Sequence, residues 1–310
     1  VGAGRGGIKT KGDDVMVLVA DAACPAAAVF TTNKLCAAPV KFSRMVRKSG
    51  TARAVVANSG NANAATGRQG LEDAAEMARL VGERAGCEAQ MVFVGSTGVI
   101  GTPLDMNKMR TGIEEAWSAL GADEKAAEAA AAAILTLDTR TKTAQREITL
   151  GGKPLRIGGF AKGAGMISPK MATMLAFITT DARINSQLLQ RSLEEAAELS
   201  FHRITVDGDM STNDSVFLLA SGLSDASEIT PGSAGHKAFQ EALSDLCLEL
   251  AKMMAADGEG ASKFVEIRVS GAADNEAALA QARAIANSKL VKTAIFGGDP
   301  NWGRVLAAAG

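Results

Sequence analysis

Apolar positions along the chain follow two rhythms. Short unbroken apolar runs mark buried strands at Asp14–Ala20, Ala26–Asn33, Ala54–Asn58, Met91–Gly95 and Met174–Thr180. Thr143–Leu150 and 153–157, joined by Gly151-Gly152, predict a hairpin. Phe264–Val269 and Leu290–Ala294 carry the same short apolar signature and are read as two further strands. The second rhythm is helical. Leu71, Ala74, Met77, Leu80 and Val81 fall on one face of a helix over Leu71–Ala85. Similar spacing predicts helices at Asp105–Leu120, Asp123–Leu135, Ser186–Ser200, Ala238–Met254 and Ala277–Ser288, the third capped by Asn185 or Ser186. Strands alternating with helices, with one antiparallel hairpin, point to a layered α/β protein and leave its topology open.

Against this background Lys162–Asp181 stands out. Its first half is a loop rich in Gly and other small residues, and its second half is the strand beginning at Met174. Thr173 therefore sits at the mouth of a buried strand, a position that fixes a hydroxyl while leaving it open to attack a substrate. The same pattern also fits a threonine that merely begins a core strand. A second strand, Met91–Gly95, runs into Ser96-Thr97-Gly98-Val99-Ile100-Gly101. Such a turn can aim a hydroxyl and a backbone N–H at one point, as an oxyanion hole requires, and it is equally an ordinary strand-to-helix connection. Glu259 lies between two glycines at a helix-to-strand junction, where the plain reading is a turn acid. The turn Ser59–Ala64 is rich in Asn and Ser, which satisfy local backbone groups and border the candidate site. Two further patterns fail their context. Gly2–Gly7 fits GxGxxG by letter, but no strand precedes it and no amphipathic helix follows, so it reads as a flexible lead-in. Asp207–Asp214 resembles a calcium loop, but Thr212 stands where such a loop needs glycine.

Composition narrows the function classes. Among 310 residues, 33 basic and 34 acidic side chains leave a formal charge of −1, which gives no footprint for nucleic acid or an anionic membrane. No apolar run reaches the ~18 residues that span a bilayer. The four cysteines are scattered without a metal-ligand spacing, as expected in a reducing, cytoplasmic setting with no bound metal. His202 and His236 are the two histidines, and both read as structural or exposed. The chain begins at Val1 and ends on the apolar run Arg304–Gly310, so we expect a natural chain that continues past these ends.

The segment Lys162-Gly-Ala-Gly-Met-Ile-Ser-Pro, followed by Met171-Ala-Thr-Met-Leu175, resembles the self-cleavage segment of the ornithine acetyltransferase (glutamate N-acetyltransferase) family of arginine biosynthesis. Lys170 stands where that family usually carries Asn. The resemblance extends through Phe30–Lys34 with Ala37–Val40, Ser96–Gly101, Thr136–Thr139, Arg203–Asp214, Asp257–Lys263 and Gly298–Arg304. It implies an αββα sandwich shared with self-processing aminopeptidases, and cleavage between Ala172 and Thr173. Residues 1–172 and 173–310 would then form an α and a β chain that make one catalytic unit and assemble as a heterotetramer. It further implies Thr173 as nucleophile, Thr97 and Gly98 as the oxyanion hole, and substrate contacts from Thr136, Lys162 and Glu259. Leu137 departs from the family's Thr-Thr-Asp-Thr pattern. Family members continue beyond the point matching Gly310, and their remaining segment brings an Asn and a Ser or Thr to the substrate.

The implied chemistry has a residue-level rationale. A threonine hydroxyl needs a base, and the two histidines are poorly placed to give one. A free α-amine, with an ordinary pKa of ~7.7–8, can serve, and Thr173 gains one when the bond before it is cut. The resemblance then implies ping-pong transfer of acetyl from N-acetylornithine to glutamate with no cofactor, with acetyl-CoA left open as a further donor. Lys162 would meet the substrate α-carboxylate and Glu259 an ammonium group. Two other readings stay open: an aminopeptidase or amidase of the same fold, and an inactive truncated homologue that only binds or oligomerises.

Overall fold

The computed structural model describes residues 1–168 and 174–310. The strands among them are β1 (Gly2–Gly4), β2 (Val15–Phe30), β3 (Thr51–Asn61), β4 (Val92–Val99), β5 (Lys142–Leu150), β6 (Lys153–Lys162), β7 (Leu175–Thr180) and β8 (Ser215–Ala220). The helices are α1 (Ala38–Ser49), α2 (Gly67–Ala85), α3 (Met106–Ser118), α4 (Glu124–Ala133), α5 (Ser186–Leu199), α6 (Ala234–Ala256), α7 (Asn275–Asn287), α8 (Lys289–Gly297) and α9 (Trp302–Ala309). Strand order is β4-β3-β2-β8-β7-β6-β5, with β1 beside β2.

One strand creates the two layers. The first part of β2, Val15–Val19, pairs with β3, and its last part, Ala26–Phe30, pairs with β8. The register shifts between Val19 and Cys24, and an irregularity of this kind lets a strand bend and change sheets. The two halves then face each other. Phe93 of β4 meets Phe217 of β8 with ring centroids 5.1 Å apart, and Phe177 of β7 stands 5.6 Å from Phe217. Gly95 lets the layers close, because a Cβ there would already touch the Phe217 ring at 3.5 Å. On β7 and β8, Leu175, Phe177, Phe217 and Leu219 join this inner core, while Ala176, Ile178, Val216 and Leu218 face α5 and α6. On the far side, Val40 and Val46 of α1 and Ala74, Met77 and Val81 of α2 cover β3 and β4. The architecture is helix, sheet, sheet, helix, the αββα sandwich anticipated above.

Several sequence expectations need correction. Gly2–Gly4 is no loose lead-in: it pairs with Val15–Val17, and Gly4 lies so close to the α3 backbone that a side chain would overlap Gly112 and Ala116. The adjoining loop wraps the buried Asp14 carboxylate, which accepts the Gly6, Ile8 and Lys9 N–H groups at 2.7, 2.6 and 3.0 Å. The two strands expected between Asp14 and Asn33 are one long strand. Leu290–Ala294 lies in α8, whose start is capped by Ser288 and whose end is closed by Gly298 at φ 72°. Val291 and Ala294, three apart, are its buried face, a helical spacing hidden in a short apolar run. Phe264–Val269 pairs with no strand among the described residues and lies largely exposed. Helix α1, with Pro39 in its first turn, and strand β8 had not been anticipated.

Candidate active site

The site is built where β6 ends and β7 begins. Lys162, last residue of β6, pairs with Leu175, first residue of β7. Its side chain runs inward and is 1% exposed. The ammonium donates to the Thr136 hydroxyl at 2.7 Å and to the Thr97 hydroxyl at 3.3 Å. Three residues that lie far apart in sequence thus meet around one nitrogen. Thr173 and Ala172, the proposed nucleophile and its neighbour, lie outside the described residues.

Thr97 and Gly98 sit at the end of β4, beside Ser59 and Gly60 of β3, where the parallel ladder becomes irregular. Thr97 is buried and Gly98 is exposed, so the segment is strand to its edge and only then a turn. Gly98 has φ 133°, and a Cβ there would overlap the Gly60 carbonyl group. Glycine is required on both counts. The Asn-rich turn anchors this edge. Ser96 donates its hydroxyl to the Asn58 side chain at 2.6 Å, and Asn213 donates to the Ser96 and Ala62 carbonyls at 2.9 and 2.6 Å.

The Gly-rich loop after Lys162 is tied by backbone bonds. Gly163 N–H donates to Asp138 at 2.6 Å, and Ile167 N–H donates to Asp207 at 2.9 Å. Asp207 comes from the string that faintly resembled a calcium loop, so those acids hold a loop. Glu259 N–H donates to the Ala164 carbonyl at 2.6 Å, which docks the Glu259 turn on the same loop. Its carboxylate passes over Gly165, where a Cβ would stand 2.7 Å from Glu259 Oε2. Glu259 is exposed, and among the described residues its side chain has no partner of its own.

Sequence reasoning missed the charges behind this surface. Asp138 Oδ1 accepts from Lys142 at 2.7 Å, and Asp138 Oδ2 lies 3.7 Å from Lys162. Lys142, fully buried, also donates to Asp257 at 2.6 Å. Asp257 accepts the Thr139 N–H at 3.0 Å and the Thr139 hydroxyl, and it opens the turn that carries Glu259. A buried chain of alternating charge therefore joins Lys162 to the Glu259 turn. Burial lowers the Lys162 pKa, and Asp138 pulls it partly back. Burial raises the Asp138 pKa, but Lys162, Lys142 and the Gly163 N–H outweigh it and hold the carboxyl below its ordinary value. Asp257 is likewise pushed up by burial and held below by Lys142 and Thr139. Asp138 and Asp257 both stood inside quoted motifs. Lys142 carried no signal, because a lysine at the start of a hairpin strand reads as surface.

A third missed acid is Asp214, at the entry to β8. It is fully buried and accepts the Met174 N–H through Oδ1 at 2.9 Å. Burial pushes its carboxyl up to about 8, against the Met174 N–H, Ser211, Lys162 and Thr31, which act to lower it. The histidines lie elsewhere: His202 pairs with Glu198 at 2.8 Å, and His236 lies 3.3 Å from the Ser192 hydroxyl. Among the described residues no cluster of three or more His, Cys, Asp and Glu could hold a metal, and no helix is long and apolar enough to cross a membrane.

Comparison with known proteins gives a consistent family. Residues 1–310 match the model of the ArgJ family. The arginine biosynthesis bifunctional protein ArgJ of Symbiobacterium thermophilum is 52% identical over 96% of this chain and 73% of its own length. The crystal structure of the protein of that name from Bacillus halodurans aligns with 37% identity and a TM-score of 0.50, over 56% of this chain and 88% of that one. An L-aminopeptidase D-Ala-esterase/amidase from Ochrobactrum anthropi, described as a variant of the Ntn hydrolase fold, has a TM-score of 0.50 over 79% of this chain and 77% of its own. At 14% identity that likeness concerns the fold alone.

Proposed function

The chain belongs to the ArgJ family, and from that premise we propose that it is an acetyltransferase of arginine biosynthesis, moving acetyl from N-acetylornithine to glutamate through an acetyl-threonine at Thr173. The observation that carries this reading is the convergence of Lys162, Thr97 and Thr136 at the junction from which the chain runs to Thr173. A buried ammonium suits the α-carboxylate that both amino acids share. Thr97 and Gly98, at an irregular strand edge, suit the oxyanion of the tetrahedral intermediate, where one donor is typically worth ~10²–10³ in rate. Glu259, docked on the neighbouring loop, suits the ornithine ammonium. Glutamate lacks that group, so the second substrate must sit differently at Glu259.

In this reading Thr173 attacks the Ala172 carbonyl, the resulting ester hydrolyses, and the freed α-amine becomes the base for transfer. The mature enzyme is then an α chain of residues 1–172 and a β chain starting at Thr173, working in the cytoplasm as an oligomer such as an α₂β₂ heterotetramer. Acetyl-CoA as a second donor is in keeping with the bifunctional name of the relatives. Mass spectrometry of Thr173→Ala tests the core of the proposal. We expect the wild-type chain to separate at 172/173 and the variant to stay whole and inactive. Cleavage of the variant at that bond would remove Thr173 as nucleophile. The amidase reading makes a different forecast: acyl release to water at a rate indifferent to added glutamate.

A further inference from the structure

A donor that meets Lys162 with its α-carboxylate and Glu259 with its side-chain ammonium must bridge two groups that lie far apart in sequence. The separation of those groups then decides which donors fit. Two ties hold the Glu259 turn, and both end on one buried pair. On one side Asp257, two residues before Glu259, accepts from Lys142 at 2.6 Å, from the Thr139 N–H at 3.0 Å and from the Thr139 hydroxyl. On the other side the Glu259 N–H donates to the Ala164 carbonyl at 2.6 Å, and the N–H of the preceding Gly163 donates to Asp138 Oδ1 at 2.6 Å. Asp138 Oδ1 also accepts from Lys142 at 2.7 Å. Its Oδ2 accepts the Thr136 N–H at 3.2 Å and lies 3.7 Å from Lys162. Lys162, Thr136 and the Glu259 turn are thus all placed from the Asp138–Lys142 pair, whose side chains are closed off from water.

Lys142 cannot itself meet a substrate. An ammonium has three hydrogens, and Lys142 gives them to Asp138, Asp257 and the Arg140 carbonyl at 2.7, 2.6 and 3.3 Å. Stability alone gives little reason for such an arrangement, because exchanging a whole buried ionic triad for packed apolar side chains is often neutral. Directional bonds to two separate segments are what apolar packing would not supply. The pair also sits where it can act on both ends of the site. Lys142 opens β5 and pairs with Ala161, the residue before Lys162, while Asp257 closes α6 and begins the turn that carries Glu259.

Resting on the roles of Lys162 and Glu259 given above, we propose that Lys142 is a positioning residue that fixes, through Asp138 and Asp257, the separation of the two ends of the donor site and so makes the site a gauge of donor length. A donor with the ornithine side chain spans from Lys162 to Glu259. A donor one methylene longer must push the Glu259 turn against its ties to Asp257 and Ala164. Glutamate has no side-chain ammonium, so its half-reaction is indifferent to those ties.

Asp257→Ala tests this in the full-length protein, because it cuts the tie to Lys142 while leaving Lys142 paired with Asp138. kcat/KM is measured for glutamate and for two donors, N-acetylornithine and Nα-acetyl-lysine, the second one methylene longer. We expect wild type to favour the shorter donor by about 10–100-fold, the scale of one methylene or one charged contact. Asp257→Ala should reduce that preference by about 10-fold, mainly through a higher KM for N-acetylornithine, with kcat/KM for glutamate within about threefold of wild type. Asp257→Asn, which keeps an oxygen for Lys142, should retain the preference. An unchanged preference in Asp257→Ala, or an equal loss with both donors and glutamate, is what a merely structural role produces, and either result overturns the proposal. If Asp257→Ala fails to fold, as judged by thermal melting, Thr139→Val takes its place, since it removes one hydrogen bond to Asp257, and the same comparison decides. A wild type that moves no acetyl from N-acetylornithine defeats the transferase reading and this proposal together. Transfer without donor preference defeats only the gauge.

Discussion

Single residues carry the chemistry through what surrounds them. Lys162 is held in a buried place by two hydroxyls that accept from it and by Asp138 3.7 Å away. A hydrogen bond to a charged group is worth roughly 1.5–3 kcal/mol, or about 10–100-fold in binding. Lys162→Met should therefore raise KM for both N-acetylornithine and glutamate by that factor, since each brings an α-carboxylate. Steady-state kinetics with each substrate varied would check it, and a rise for only one would contradict the shared-carboxylate role. Gly98 is a conformational case. Its φ of 133° and its approach to Gly60 leave no place for a Cβ, so Gly98→Ala should cost about 1–3 kcal/mol in denaturant unfolding as well as turnover. Lost turnover in that variant is thus no clean measure of oxyanion binding. The Thr97 hydroxyl is the better probe.

Elements act through how they are joined. The charge chain spans three of them: β6 with Lys162, β5 with Lys142, and the end of α6 with Asp257. Lys142 is the link, bonded to two carboxylates away from water. Removing one partner of a buried ion pair typically costs ~3–5 kcal/mol, because the remaining charge is stranded. Lys142→Met should reach that range and strand two acids, and it should loosen the Glu259 turn that follows Asp257. Urea unfolding measures the first effect. Amide exchange at Gly258–Ala261 measures the second, with faster exchange expected there than in β7.

At the scale of the molecule, stability depends on pH in two windows. Asp138 and Asp257 lie below the ordinary carboxylate range when folded. Their contribution is present above about pH 4 and is lost as pH falls through their folded values. Asp214 has the opposite sign. Its folded carboxyl is pushed up to about 8, so its contribution is full below about pH 4 and is lost as pH rises toward 8. In Thr173→Ala, which should stay whole, the share of Tm set by Asp214 should therefore decline from pH 5 to pH 8. Adding Asp214→Asn should flatten that decline, and parallel Tm curves for the two chains would exclude it.

Much of this protein was legible in its sequence. Alternation and helical spacing marked the hairpin of β5 and β6, the buried strands β3, β4 and β7, and helices α2 to α7, because the period of burial is written in the order of residues. The motifs around Lys162, Thr97, Thr136 and Glu259 singled out candidate site residues by resemblance, and Lys162, Thr97 and Thr136 meet at one ammonium. What the sequence could not carry was anything fixed by distant partners. The bend that turns β2 into a strand of both layers depends on β3 and β8 pulling on its two ends. Leu290–Ala294 became helix because Ser288 and Gly298 close its ends while only two of its residues find the core. Lys142 and Asp214 look like ordinary polar residues until the fold removes water from around them. Burial then decides their partners and the Asp214 pKa, and burial is a property of the whole chain, not of neighbours in sequence.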